Sequence, residues 1–75
     1  MSTELIREAT RDHQTVARLR CFDVYDATIV EAEVYAPGSD SPEHRGPYRF
    51  ATAPEAFRFV QEAMLALQYL GCQIA

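Results

Sequence analysis

The residues able to carry chemistry in this chain are few, and their spacing limits what they can do. His44 stands beside Glu43 and Arg45, four positions after Asp40. A loop histidine among carboxylates is the arrangement a general base or a metal ligand would use. No zinc-type ligand spacing surrounds it, and His13, the other histidine, makes no recognisable pair with it. Cys21 and Cys72 lie 51 positions apart and form no C-x-x-C unit. A Cys72–His44 nucleophile pair is arithmetically open, but cysteine serving as a small buried hydrophobe is the commoner situation. No serine occupies a G-x-S-x-G turn, and no glycine-rich phosphate loop occurs. Asp23 and Asp26 bracket a turn, which accounts for both without a mechanism. The expectation is therefore no catalytic residue, no metal ligand and no cofactor. A small enzyme or metal protein using the His44 loop is the competing reading.

Composition narrows the field further. All seven basic residues are Arg, against eleven carboxylates, for a net charge of −4. A lysine-free chain has no Schiff-base amine and no P-loop lysine. The arginine-only usage is most simply the mark of a GC-rich genome. A net negative domain repels phosphate backbones unless its cations cluster on one face. Two widely spaced cysteines do not make a disulfide scaffold. The acidic start Met1-Ser2-Thr3-Glu4 is followed by no apolar signal-peptide core, and the most apolar stretch, Ala63 to Leu67, is too short to span a bilayer. A cytoplasmic protein with no membrane segment is expected.

These residues must be positioned by one small domain, residues 1–75. A chain of this length buries only about 60% of its unfolded surface, so association is a common source of added stability. The segment Ser2 to about His13 reads as a short helix, with Ser2 or Thr3 as N-cap and Leu5, Ile6 and Ala9 on one side. From Thr15 to Phe22 the pattern changes to period two, and it returns from Ala27 to Ala36. The intervening Asp23-Val24-Tyr25-Asp26 predicts an antiparallel hairpin. Charge matching sets its register: Arg20 faces Glu31, Arg18 faces Glu33 and Phe22 faces Ile29, with Cys21, Leu19 and Ala17 on the other face. The stretch 37–46, with two Pro and two Gly, reads as a loop leading into a third short strand, Tyr48 to Thr52, after Pro47.

The clearest local signal is Thr52-Ala53-Pro54-Glu55, a capping box that opens a helix ending at Leu70 with Gly71 as its terminator. Ala56, Val60, Ala63, Met64, Leu67 and Leu70 form its apolar stripe. The expected fold is thus α+β, with α-β-β-β-α order and a three-stranded antiparallel sheet carrying helices packed on one face.

That element order resembles the double-stranded-RNA-binding domain. The resemblance implies phosphate contacts from a lysine-rich N-terminus on the second helix. Here the matching stretch, Thr52-Ala53-Pro54-Glu55-Ala56-Phe57, carries no positive charge, and Glu55 already stands where an anion would dock. A nucleic-acid-binding module is the runner-up reading, and the electrostatics argue against it. The leading expectation is a non-enzymatic regulatory or adaptor-type protein that works through a protein partner or self-association, as a homodimer. Two surfaces carry it. One is the outer side of the C-terminal helix, with Leu65, Tyr69, Arg58 and Glu62. The other is the outer face of the hairpin, with Phe22, Ile29 and Tyr35, joined by Val16, around the Arg/Glu ladder.

Overall fold

The computed structural model describes residues 4–75. Its chain order is β1 (Glu4–Arg11), β2 (Gln14–Val24), β3 (Ala27–Val34), β4 (Glu43–Phe50), α1 (Ala53–Tyr69) and β5 (Gln73–Ile74). All neighbouring strands are antiparallel, in the spatial order β4-β3-β2-β1-β5. This corrects the expected three-stranded sheet: among the described residues there are five strands, and one helix rather than two.

The expected N-terminal helix is strand β1. Leu5, Arg7 and Ala9 pair with Cys21, Leu19 and Ala17, and Ile6 and Glu8 pair with Arg20 and Arg18. Two features of the sequence produce this outcome. Leu5, Ile6 and Ala9 suit either period, so periodicity alone does not choose between helix and strand. Asp12 and His13 both adopt left-handed backbone, φ 53° and 64°, and close a two-residue hairpin of the type that matches strand twist. Pairing with β2 buries Ala9 completely, which an isolated short helix would not do. The N-cap residues proposed for that helix, Ser2 and Thr3, lie outside the described residues.

The β2–β3 register is the expected one. Arg18 faces Glu33, Arg20 faces Glu31 and Phe22 faces Ile29, while Ala17, Leu19 and Cys21 face Val34, Ala32 and Val30. Arg20 Nη2 donates to Glu31 Oε1 at 3.0 Å. Strand β4 is longer than expected, because it begins at Glu43 and runs through Gly46 and Pro47. The register against β3 shifts between Val30 and Ala32, and Gly46 sits at φ 93° in this bulge. Bulge, proline and charged side chains together protect this edge from further pairing.

Helix α1 begins as expected. Thr52 is the N-cap, its hydroxyl oxygen accepting from the Glu55 backbone N–H at 3.4 Å. The helix ends in a Schellman motif, with Gly71 N–H donating to Gln68 O and Cys72 N–H donating to Leu67 O, both at 3.0 Å. Gly71 supplies the left-handed φ of 97°. The chain then reverses, and β5 pairs with Ala9 and Thr10 at the far edge of the sheet.

The helix covers one face of the sheet only. Ala56, Val60 and Met64 lie against Ala9, Ala17, Leu19, Cys21, Val30, Ala32 and Cys72. Phe59 packs on Tyr48 and Phe50, each with ring centroids 5.3 Å away. Leu70, assigned to the apolar stripe, is exposed, because it caps the helix beyond the last turn that meets the sheet.

Candidate protein-interaction surface

The sheet face opposite α1 is built by alternate residues of four strands. Since directly opposed residues point to the same side, the pairings assemble three rows across it. One row is Glu4–Phe22–Ile29–Arg49, the next Ile6–Arg20–Glu31, and the third Glu8–Arg18–Glu33–His44. Read along the strands instead, β1 and β3 present carboxylates, while β2 and β4 present cations and His44. Arg20 is the hub. It pairs with Glu31, approaches Glu4 Oε2 at 4.0 Å, and lies 4.7 Å over the Phe22 ring. Arg49 is held by Asp26 of the β2–β3 turn at 2.8 Å. Phe22 and Ile29 are half-buried side by side among these charges, and Ile6 is exposed at the row's end.

Two members expected on this face lie elsewhere. β1 and β2 slip register between Ala9 and Thr10, leaving Val16 as the extra residue of a bulge. Val16 packs against the core on the helix side. Tyr35 donates its backbone N–H to Val16 O at 2.9 Å and lines a cavity with Val16, Leu67, Leu70 and Cys72. The bulge accounts for the difference, since one additional residue redirects the side chains around it. Strand β1 contributes what the sequence reading missed, namely Glu4, Ile6 and Glu8. The alternation of Ile6, Glu8 and Thr10 against Leu5, Arg7 and Ala9 was the available signal.

The helix surface is placed as expected, although its residues serve different ends. Arg58, Glu62, Leu65 and Tyr69 are all exposed. Leu65 is 57% exposed and borders a groove of about 590 Å³ with Leu5, Phe57, Val60, Met64 and Ile74. Tyr69 is 94% exposed and stands apart from that groove. Beside the groove, β5 pairs only with the second half of β1.

His44 is a strand residue, not a loop residue. Alternation along β4 separates it from Glu43 and Arg45, which point to the other face and pair with each other at 2.9 Å. It shares a shallow surface depression with Arg18, Arg20, Glu31 and Glu33. Cys72 leads into β5, at the opposite edge of the sheet from β4, so four strand spacings separate the supposed nucleophile pair. Cys21 and Cys72 are both buried and unbonded. Burial, with a smaller contribution from the Asp23 carboxylate, pushes the Cys21 thiol above its ordinary range. Among the described residues, no three His, Cys, Asp or Glu side chains converge on a point where a metal ion would sit. Nor, among the described residues, is any helix long and apolar enough to cross a membrane.

No protein-family model matches the chain, and no curated protein or solved structure shows significant similarity to it.

Proposed function

We propose that this chain is a non-enzymatic protein of the cytoplasm that works through protein–protein contact, using the uncovered face of its sheet. The observation that carries the reading is the pattern on that face: paired apolar residues, Phe22 and Ile29, set in a lattice of alternating charge. Such a lattice selects a partner by matching sign to sign, and electrostatic complementarity of this kind gives specificity more than raw affinity. The same lattice speaks against nucleic acid. Every column of cations is flanked by a column of carboxylates, so no continuous positive stripe is offered to a phosphate backbone. The element order that resembled the double-stranded-RNA-binding domain also falls away with the N-terminal helix.

The test is a photo-crosslinking residue placed at Ile29 in the native cell, compared with the same residue at Glu62 on the helix. The reading predicts one dominant crosslinked protein from position 29 and background from position 62. No product above that background would refute it.

A further inference from the structure

We propose that the partner of the open sheet face is a second copy of this chain, stacked face to face about a two-fold axis that lies between the sheets and parallel to β2 and β3. This rests on the reading above and names its occupant. The two-fold places β2 of one copy over β3 of the other, and β1 over β4. Along the strands the height of each residue is unchanged, so each row meets itself reversed. Arg20 then lies over Glu31 of the second copy, and Arg18 over its Glu33. Phe22 meets Ile29 of the second copy, Glu4 meets Arg49, and Glu8 meets His44. Each charged residue of the three rows thus meets an opposite charge or, for Glu8, a histidine, and Phe22 meets an apolar side chain; Ile6 lies over the β4 bulge, where no residue pairs with Glu31.

The complementarity follows from an arithmetic property of the face. Its four columns alternate in sign, negative on β1 and β3 and positive on β2 and β4. Only an even number of alternating columns becomes self-complementary when reversed left to right. A slip by one strand would set like charge over like, so the same lattice that favours this alignment penalises its neighbours. Aligned sheets rotate by about 30° against each other, which keeps the match best at the centre, at Arg20 and Glu31.

Charge balance and area agree with this occupant. The chain carries −4 overall, yet the face holds Glu4, Glu8, Glu31 and Glu33 against Arg18, Arg20 and Arg49, with His44 beside them. Most of the net charge therefore sits away from the contact. The accessible surface is 5531 Å², whereas a compact monomer of this length exposes about 4,700 Å². A standard interface takes ~800 Å² from each partner, roughly one seventh of this surface. The Cα radius of gyration is 12.5 Å and the extents are 38 × 23 × 18 Å, elongated along one axis and above the roughly 11 Å radius expected for this length.

Sedimentation equilibrium on the full chain decides the matter, using Arg20→Glu and Glu31→Arg. Wild type is expected to be dimeric at about 100 µM and to dissociate in ~1 M salt, where the screening length falls to about 3 Å. Each reversal sets like charges over each other twice, and each variant alone should dimerise at least tenfold more weakly. An equimolar mixture should recover a heterodimer, because the glutamate at position 20 of one chain then meets the arginine at position 31 of the other, and Glu31 of the first meets Arg20 of the second. Circular dichroism checks folding, and Arg20→Gln with Glu31→Gln serve in its place if a reversal unfolds the chain, both weakening the dimer. A monomeric wild type, reversals that dimerise like wild type, or a mixture that stays monomeric would each overturn the inference. These results leave the contact reading to the Ile29 crosslink: a different protein there sinks only the second copy, and no product sinks both.

Discussion

Two glycines with nearly the same backbone, Gly46 at φ 93° and Gly71 at φ 97°, separate conformational strain from steric overlap. An alanine at either position pays for a left-handed backbone, about 1–2 kcal/mol. At Gly71 a Cβ would meet nothing within 4 Å, so that cost is the whole effect. At Gly46 a Cβ would lie 3.0 Å from Tyr48 N and 3.1 Å from Val30 O, both backbone atoms of the β3–β4 ladder. Neither atom can swing away, so the ladder itself must shift, and overpacking of this sort adds about 1–3 kcal/mol. Gly71→Ala should therefore cost ~1–2 kcal/mol and Gly46→Ala about 2–5 kcal/mol. Domains of this length hold roughly 4–11 kcal/mol in total, which makes the second value a large share. Urea denaturation of both variants beside wild type measures the gap. Equal midpoints would mean that the bulge yields freely, and the argument from rigid backbone atoms would fail.

Other consequences are more local. Thr52→Ala removes the acceptor for the Glu55 N–H and should lower stability by about 0.5–1 kcal/mol, the low end being favoured by a bond as long as 3.4 Å; an unchanged denaturation midpoint would show that the cap contributes nothing. The buried thiols should resist alkylation in the native protein and react together only on unfolding. Because the Cys21 thiol is raised, the unfolded chain ionises first as pH climbs, so stability should be level below about pH 8.5 and decline above it. Cys21→Ala should flatten that decline in a pH series of melting curves, and an identical slope in wild type and variant would contradict the assignment.

The parts of the fold legible in the sequence are those where one local rule has no competitor. The β2–β3 register followed from matching Arg18 and Arg20 with Glu33 and Glu31, since a one-residue slip would turn carboxylates into the core. The ends of α1 followed from Thr52, Pro54 and Gly71, each suited to a single place in a helix. The N-terminal segment was misread because Leu5, Ile6 and Ala9 fit a helix face as well as a strand, and Asp12-His13 lacks the glycine that advertises a tight hairpin. β5 was illegible for another reason. Two residues carry no period, and Gln73–Ile74 becomes a strand only because the Schellman turn aims the chain at the edge of β1. The interaction face was half visible. Its Arg/Glu ladder and the Phe22–Ile29 pair came from the hairpin, whereas the column of Glu4, Ile6 and Glu8 required β1 to be a strand. Val16 left that face because a bulge cannot be read from alternation.

The central claim is that the uncovered sheet face, rather than the helix surface, is occupied when the protein works. Hydroxyl-radical footprinting in the native cell, compared with purified protein at high dilution, tests it most directly. Fully exposed Tyr25 serves as the internal standard for radical dose. Contact through the sheet face predicts that Phe22 and Ile29 oxidise several-fold more slowly in the cell than in the dilute protein, while Leu65 and Tyr69 oxidise equally in both. Unprotected Phe22 and Ile29 beside a protected Leu65 would contradict the claim and move the contact to the groove beside β1.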